Sequence, residues 1–234
     1  MSRIVSFVIL LSIVISVNGL ATNYYVDTNH PAANDTSNPG TEDLTFKTIQ
    51  KGIDVAMPGD TVFVKTGIYQ PANELVMRRS GTADSLIVFK TIGNVQVQFA
   101  DSVIKGWRWS TLFNNYLVIN GFDISGSQLA VFIQGSHNEI LNCKVHNCVE
   151  DGINIAGGSH NKLSNNEVYK TGWNGIYIES RPNSGDKGRA DSNLVEYNKC
   201  YDIPNHFGIN IFPNTEQSQD ALVGNTIRYN TIYN

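Results

Sequence analysis

Four segments, NEILNCKVHN (138–147), NKLSNNEVYK (161–170), NLVEYNKCYD (193–202) and NTIRYNTIYN (225–234), are versions of one ten-residue unit. Their leading asparagines, Asn138, Asn161, Asn193 and Asn225, stand 23, 32 and 32 residues apart. Ile140, Leu163, Val195 and Ile227 keep that spacing, as do Val145, Val168, Cys200 and Ile232, and YLVINGFDIS (116–125) is a looser, earlier copy. A second block follows the first three: DGINIAG (151–157), NGIYIES (174–180) and FGINIFP (207–213), with LAVFIQG (129–135) as forerunner. Gly-Ile-x-Ile is a period-two strand whose isoleucines point one way. Two or three short strands in every 21–33 residues describe the turn of a β-solenoid, which buries its apolar column only when turns stack.

The polar positions agree with this stacking. Asn166, Asn198 and Asn230 recur at a second common offset. Asparagine tolerates left-handed turn conformations, and stacked amides can hydrogen-bond along the axis. Upstream, TFKTIQKGIDVAM (45–57) places Phe46, Ile49, Ile53 and Ala56 on one face of a capping helix. Pro58-Gly59-Asp60 ends it, and TVFV from Thr61 reads as the first strand. The helix covers an edge that would otherwise be open to aggregation. The sequence stops after the first block of a turn, which reads as a truncated or partial chain.

Composition narrows the class. At 234 residues with a formal charge of −4 and no basic tract, the chain suits one domain and is a poor nucleic-acid binder. Ser2 and Arg3 precede an apolar or hydroxyl run from Ile4 to Val17, closed by Asn18, with small residues at Gly19 and Ala21. That is the layout of a secretory signal peptide over 1–21, leaving a domain over 22–234 with a charge of −5. It also reads as an uncleaved anchor, but no other segment could cross a membrane. The mature protein is therefore expected outside the cell, as a monomer. Cys143, Cys148 and Cys200 are too few for a disulfide scaffold, and Cys143 and Cys200 read as buried thiols.

YYVDTNHPAANDTSNPGTEDLTFKTIQKGIDVAMPGDTVFVKTGIYQ (24–70) resembles the opening of the pectate-lyase-like superfamily. The resemblance implies an all-β fold, a right-handed parallel β-helix with an N-terminal capping helix. It also implies secreted proteins acting on acidic polysaccharides, although a fold identifies an activity poorly.

Candidate site residues come from positions alternating with the inward isoleucines, expected to face solvent. One column runs Phe132, Asn154, Tyr177, Asn210; the next runs Gln134, Ala156, Glu179, Phe212. Aromatic and amide groups on a flat face suit sugar rings, although β-propensity also favours aromatics there. The turn before each second block adds Glu150-Asp151, Trp173-Asn174 and His206-Phe207 in stacked positions. Trp173, Tyr177, Glu179, His206, Asn210 and Phe212 are thus the candidate sugar-binding set. RPNSGDKGRAD (181–191) and PNTEQSQDA (213–221) are longer loops beside the face, the first basic through Arg181, Lys187 and Arg189.

Glu150-Asp151-Gly-Ile-Asn154 resembles the Asp-Asp-Gly-x-Asp calcium motif of family-nine polysaccharide lyases, with Asn154 in place of the last acid. The resemblance implies Ca²⁺ on Glu150, Asp151 and Asn154, and hard oxygen ligands suit that ion. An ordinary acidic turn explains the same residues. Such lyases take the substrate proton with Lys or Arg; here Lys170, Lys187 and Arg181 are available, though an ion pair with Asp202 also accounts for Lys170. Two functions remain open: a calcium-assisted lyase acting on a uronic-acid polymer, and a non-catalytic glycan-binding β-helix. Hydrolases need carboxylates converging on one bond, and the outward strand positions supply only Glu179. A bare structural stalk would lack the outward aromatics.

Overall fold

Period-two strands linked by single left-handed residues leave the chain one compact course, which is to coil and pair each strand with its copy in the next coil. The computed structural model describes residues 20–100, 107–108, 114–181, 188–213 and 222–233, with residues 107 and 108 described by backbone alone. Over these residues the protein is an all-β, right-handed parallel β-helix. Residues 1–19 of the expected signal peptide (1–21) lie outside the described residues.

The N-terminal part contains β1 (Asn23–Val26), α1 (Ile49–Val55), β2 (Thr61–Tyr69), β3 (Leu75–Val76), β4 (Ile87–Gln98) and β5 (Trp107–Arg108). Three-strand coils follow: β6 (Leu117–Asn120), β7 (Asp123–Ser125), β8 (Val131–Ile133), then β9 (Glu139–Leu141), β10 (Lys144–Cys148), β11 (Ile153–Ala156). The next two coils are β12 (Lys162–Ser164), β13 (Glu167–Thr171), β14 (Ile176–Ser180), and β15 (Leu194–Glu196), β16 (Lys199–Tyr201), β17 (Ile209–Pro213). β18 (Thr226–Arg228) and β19 (Thr231–Tyr233) complete the set.

The long strand β4 serves two faces. Its first half pairs β6 from Ile87 to Lys90, its last part pairs β7 from Gln96 to Gln98, and Gly93 at φ +78° lies between. Two ladders, β4-β6-β9-β12-β15-β18 and β4-β7-β10-β13-β16-β19, thereby become one sheet. The third face is a separate sheet, β3-β5-β8-β11-β14-β17. The registers match the sequence repeat: Ile140 pairs Leu163 and Leu163 pairs Val195, while Val168 pairs Val145 and Cys200. Ile153, Ile155, Ile176 and Ile178 are wholly buried in the column between the faces.

The interior asparagines bind coil to coil. Asn161 Oδ1 accepts the Asn138 N–H at 2.9 Å while its Nδ2 donates to the Gly135 carbonyl at 3.0 Å. Asn193 repeats this against Asn161 and Gly158 at 2.8 and 3.0 Å. In the second column Asn198 Oδ1 accepts from Asn166 N and Nδ2, both at 2.9 Å, and its Nδ2 donates to the Leu163 carbonyl at 2.9 Å. Corner residues Asn142, Asn165, Tyr197 and Tyr229 lie at φ of 54 to 58°. That conformation is costly for tyrosine. The Tyr197 and Tyr229 rings stack 5.0 Å apart, which favours the same corner repeating in successive coils. Gly175 opens its strand because a Cβ there would meet the Gly208 carbonyl oxygen at 2.6 Å.

The capping helix forms as expected, and Phe46, Ile49, Ile53 and Ala56 are all buried. Thr48 caps it, its hydroxyl accepting the Lys51 N–H at 3.3 Å. The expectation that the first strand begins at Thr61 is corrected: β1 precedes it and pairs in parallel with β2, Asn23 opposite Thr61. Four residues with one mixed burial pattern are too short to show a period. All three cysteines are buried and reduced. Burial pushes the Cys143 thiol up to about 11 and the Cys148 and Cys200 thiols to about 12, so they remain unreactive.

Asn198→Ala is expected to destabilise the protein by about 1–3 kcal/mol, because the buried Asn166 N–H and Leu163 carbonyl both lose their partner. Urea denaturation checks this, with an exposed-site control at Asn29.

Candidate functional site

The alternation Ile-x-Ile on the third sheet sends the intervening side chains to its outer face. Asn154 pairs with Phe132 and Tyr177, Tyr177 with Asn210, and Glu179 with Ala156 and Phe212. The columns are therefore those read from the sequence, but their exposure is not. Phe132, Asn154, Ala156 and Glu179 are buried, and the expectation that they face solvent is corrected. Leu129, Phe132 and Ala156 form a small apolar cluster of their own. The Arg181 guanidinium lies 5.4 Å from the Phe132 ring centre and donates to Glu179 Oε1 at 2.6 Å. The face opens towards β14 and β17, where Tyr177 and Asn210 are half-buried and Phe212 is 52% exposed.

Beneath that opening runs a polar network spanning three coils. Asp151, buried, accepts at Oδ1 from the Asn174 N–H at 3.0 Å and from Asn174 Nδ2 at 2.9 Å. Its Oδ2 accepts from Asn154 Nδ2 at 3.1 Å. Asn174 Oδ1 in turn accepts from Asn210 Nδ2 at 3.2 Å. Asn154 Nδ2 also reaches Glu179 Oε1 at 3.5 Å, so one amide nitrogen lies between carboxylates from successive coils. The other end of that amide, Oδ1, is buried and has no donor among the described residues. An unmade buried hydrogen bond costs about 1–3 kcal/mol.

Electrostatics follow from burial. Desolvation raises the Asp151 carboxyl above its ordinary value, its bonds from Asn174 and Asn154 oppose this, and nearby Glu150 adds to it. The Tyr177 phenol is raised by burial and by Glu179 and Asp151, with Arg181 acting in the other direction. Tyr177 thus stands within the field of both carboxylates and the guanidinium.

The remaining candidates divide into those that join the cluster and those that do not. Glu150 turns to the preceding coil, where Gln128 Nε2 donates to its Oε1 at 2.6 Å. It shares its column with Trp173, whose ring lies 6.1 Å from that of His206. Trp173, Phe207 and Phe212 are exposed and form the aromatic rim. Lys170 belongs to β13, in the second ladder rather than the third sheet, at φ 52°. Its N–H donates to the Asp202 carbonyl at 3.2 Å, but the expected side-chain ion pair does not form among the described residues. Lys187 and most of the loops 181–191 and 213–221 lie outside the described residues. Sequence reasoning missed Asn174 as the principal partner of Asp151. The signal was present, since Asn174 occupies Asp151's own offset one coil later.

No group of three or more His, Cys, Asp or Glu forms a metal cluster among the described residues. The oxygens of Asp151, Glu179 and Asn154 are hard donors, although Asn154 turns Nδ2 and not Oδ1 towards the two carboxylates. That donor chemistry fits calcium rather than a transition metal.

With this geometry in hand, comparison identifies the lineage. The family model described as "Pel9A-like, right handed beta helix region" matches residues 24–174. The chain belongs to the Pel9A-like β-helix family. Among solved structures it is similar to pectate lyase Pel9A (TM-score 0.66, 17% identity, 90% of this chain and 58% of that one). It is also similar to an alginate lyase from Paenibacillus sp. str. FPU-7 (TM-score 0.58, 18% identity, 79% and 73%). A rhamnogalacturonan lyase gives a TM-score of 0.57 at 18% identity, over 91% and 62%. At these identities the likeness establishes the fold, and the chain spans 58% of the length of the Pel9A chain. No curated protein matches the sequence.

Because the folded-state Asp151 carboxyl is raised, its ionisation is disfavoured by folding. The stability it contributes is present below the ordinary carboxylate range and is lost as pH rises through its raised value. Asp151→Asn should therefore gain stability relative to the wild type as pH rises from acid to neutral, checked by thermal melts across that range.

Proposed function

We propose that the outer face of β11, β14 and β17 binds an acidic polysaccharide outside the cell and cleaves it by calcium-assisted β-elimination. The observation carrying this reading is the cluster of buried Asp151, Asn154 and Glu179 with half-buried Arg181, beside half-buried Tyr177 and the exposed rings of Trp173 and Phe212. Exposed rings on a flat parallel face offer stacking to sugars, and Asn210 and His206 add polar edges. Arg181 supplies the positive charge that a uronate requires.

In this reading Asp151 and Asn154, with Glu150 adjacent, would hold calcium, which would supply charge neutralisation of the uronate carboxylate. Elimination then breaks the C5–H bond, forms the C4–C5 double bond and expels the O4 leaving group. A basic side chain takes the proton and an acid returns one to O4. The Tyr177 phenol, raised and half-buried, remains protonated at neutral pH and so stands as a donor rather than a base. Arg181 and Lys187 are the bases carried by the loop beside the face, and Lys170 stands in the second ladder.

A second reading, non-catalytic glycan binding, is favoured by the Glu179–Arg181 contact of 2.6 Å. The Glu179 carboxylate engages the guanidinium by a charge-assisted hydrogen bond and fixes it in place. The guanidinium then serves as a carboxylate anchor and not as a base.

A screen of uronan polymers for the ultraviolet absorbance of unsaturated products, with and without chelator, tests the first reading. Calcium-dependent absorbance on one polymer is expected. Tyr177→Ala should reduce retention on that polymer about tenfold or more with a nearly unchanged melting temperature. Retention without any unsaturated product would establish the binder instead.

A further inference from the structure

A carboxylate only accepts hydrogen bonds, whereas an amide side chain has one accepting end and one donating end. Asp151 therefore dictates which way its neighbours turn. Its Oδ1 takes the Asn174 N–H at 3.0 Å and Asn174 Nδ2 at 2.9 Å, and its Oδ2 takes Asn154 Nδ2 at 3.1 Å. With Nδ2 committed to the acid, Asn174 has only Oδ1 to offer the next coil. At the offset shared by Asp151 and Asn174 that coil carries Phe207, so the bond is made instead by Asn210, whose Nδ2 donates to Asn174 Oδ1 at 3.2 Å. Asn210 is left with Oδ1. That oxygen has no donor among the described residues and is not sealed from solvent. A half-turn of the Asn210 amide would set two carbonyl oxygens against each other and lose the bond, so the direction is fixed from below.

We propose that Asp151 and Asn174 are positioning residues that hold Asn210 as a hydrogen-bond acceptor on the outer face, and that the sugar unit beside Asn210 is recognised through a hydroxyl group. This rests on the glycan reading of the same face and adds the polarity of one contact to it. Asn210 pairs with Tyr177 in the sheet register and lies two residues before Phe212, so it shares the outer face with the rings offered to the sugar. Asp151 and Asn174 are 2% and 5% exposed, so the orientation of Asn210 is set by buried groups rather than by whatever lies on the face. A sugar hydroxyl donates to an amide oxygen. A carboxylate or an ester carbonyl has no hydrogen to give and would meet that oxygen with its own. The uronate carboxylate is thereby directed away from Asn210 and towards the Arg181 guanidinium of the same face.

Retention is measured by affinity electrophoresis of the full chain at fixed calcium, in gels carrying polygalacturonate, alginate or the O-acetylated form of each. Acetylation turns hydroxyl donors into ester acceptors, so it should weaken wild-type retention by about tenfold or more. Asn210→Ala should weaken retention on the unmodified polymer by about tenfold and remove most of the discrimination against acetylation. Asn174→Ala should lower retention several-fold, and that loss should vanish in combination with Asn210→Ala, because Asn174 acts through Asn210. Its lowered melting temperature should persist in the double variant. Should Asn174→Ala fail to fold, Asn174→Ser, which keeps a donor for Asp151, takes its place in the cycle. Equal losses from the Asn174 substitution in both backgrounds would overturn the positioning role, and undiminished discrimination in Asn210→Ala would overturn the hydroxyl contact. Retention weakened by Tyr177→Ala but unchanged by Asn210→Ala would overturn this inference and leave the glycan reading intact. Absence of wild-type retention on every polymer would overturn both.

Discussion

The structure depends on parallel coils stacking in strict register, and the buried asparagine amides hold that register. Each amide accepts a backbone N–H from the preceding coil and returns an N–H to that coil's backbone, as Asn161 does with Asn138 and Gly135. A slip of one residue would break both bonds and turn the isoleucines of β11 and β14 away from the core. Apolar burial supplies the bulk of the driving force, but it is tolerant of small shifts. The amide pairs are not, since a buried polar group without its partner costs more than a made bond returns.

Register is also what assembles the site. Asp151 and Asn174 are one coil apart in sequence and bonded at 2.9 Å in space, and Asn210 continues the line into the next coil. A parallel stack brings copies of one position together at a strand spacing of about 4.8 Å. Carboxylates, amides and rings placed at equivalent offsets therefore become clusters without any dedicated loop. The same geometry builds the outer stack of His146, Tyr169, Tyr201 and Tyr233 at centroid spacings of 4.8 to 5.1 Å. Those rings cover one another's faces along the stack, whereas Trp173 and Phe212 are exposed.

The third sheet also shows how a solenoid adjusts one face without altering its interior. Beneath the face the isoleucine columns are uniform. Above it, side chains change from Phe132 at β8 to Asn154 and Ala156 at β11, Tyr177 and Glu179 at β14, and Asn210 and Phe212 at β17. Arg181 bridges the apolar and acidic zones, its guanidinium 5.4 Å from the Phe132 ring centre and hydrogen-bonded to Glu179. A guanidinium suits this position because it is weakly hydrated and can satisfy both neighbours.

The sequence by itself determined the coil, its strands and its registers, because a period-two pattern repeated at fixed offsets admits one parallel pairing. The interior role of the asparagines, the capping face of Phe46 to Ala56 and the buried state of Cys143 and Cys200 were legible for the same reason. Exposure was not. Alternation tells which side of a sheet a residue takes, but not what lies over that side, so Asn154 and Glu179 read as solvent-facing until the contact of Arg181 with Phe132 placed a cover there. The partner of each acid was equally a matter of tertiary structure. Glu150 and Asp151 are neighbours in the chain and diverge in space, since successive residues at the start of a strand project differently, and Asp151 and Glu179 come to share the Asn154 amide nitrogen only through the stacking of coils.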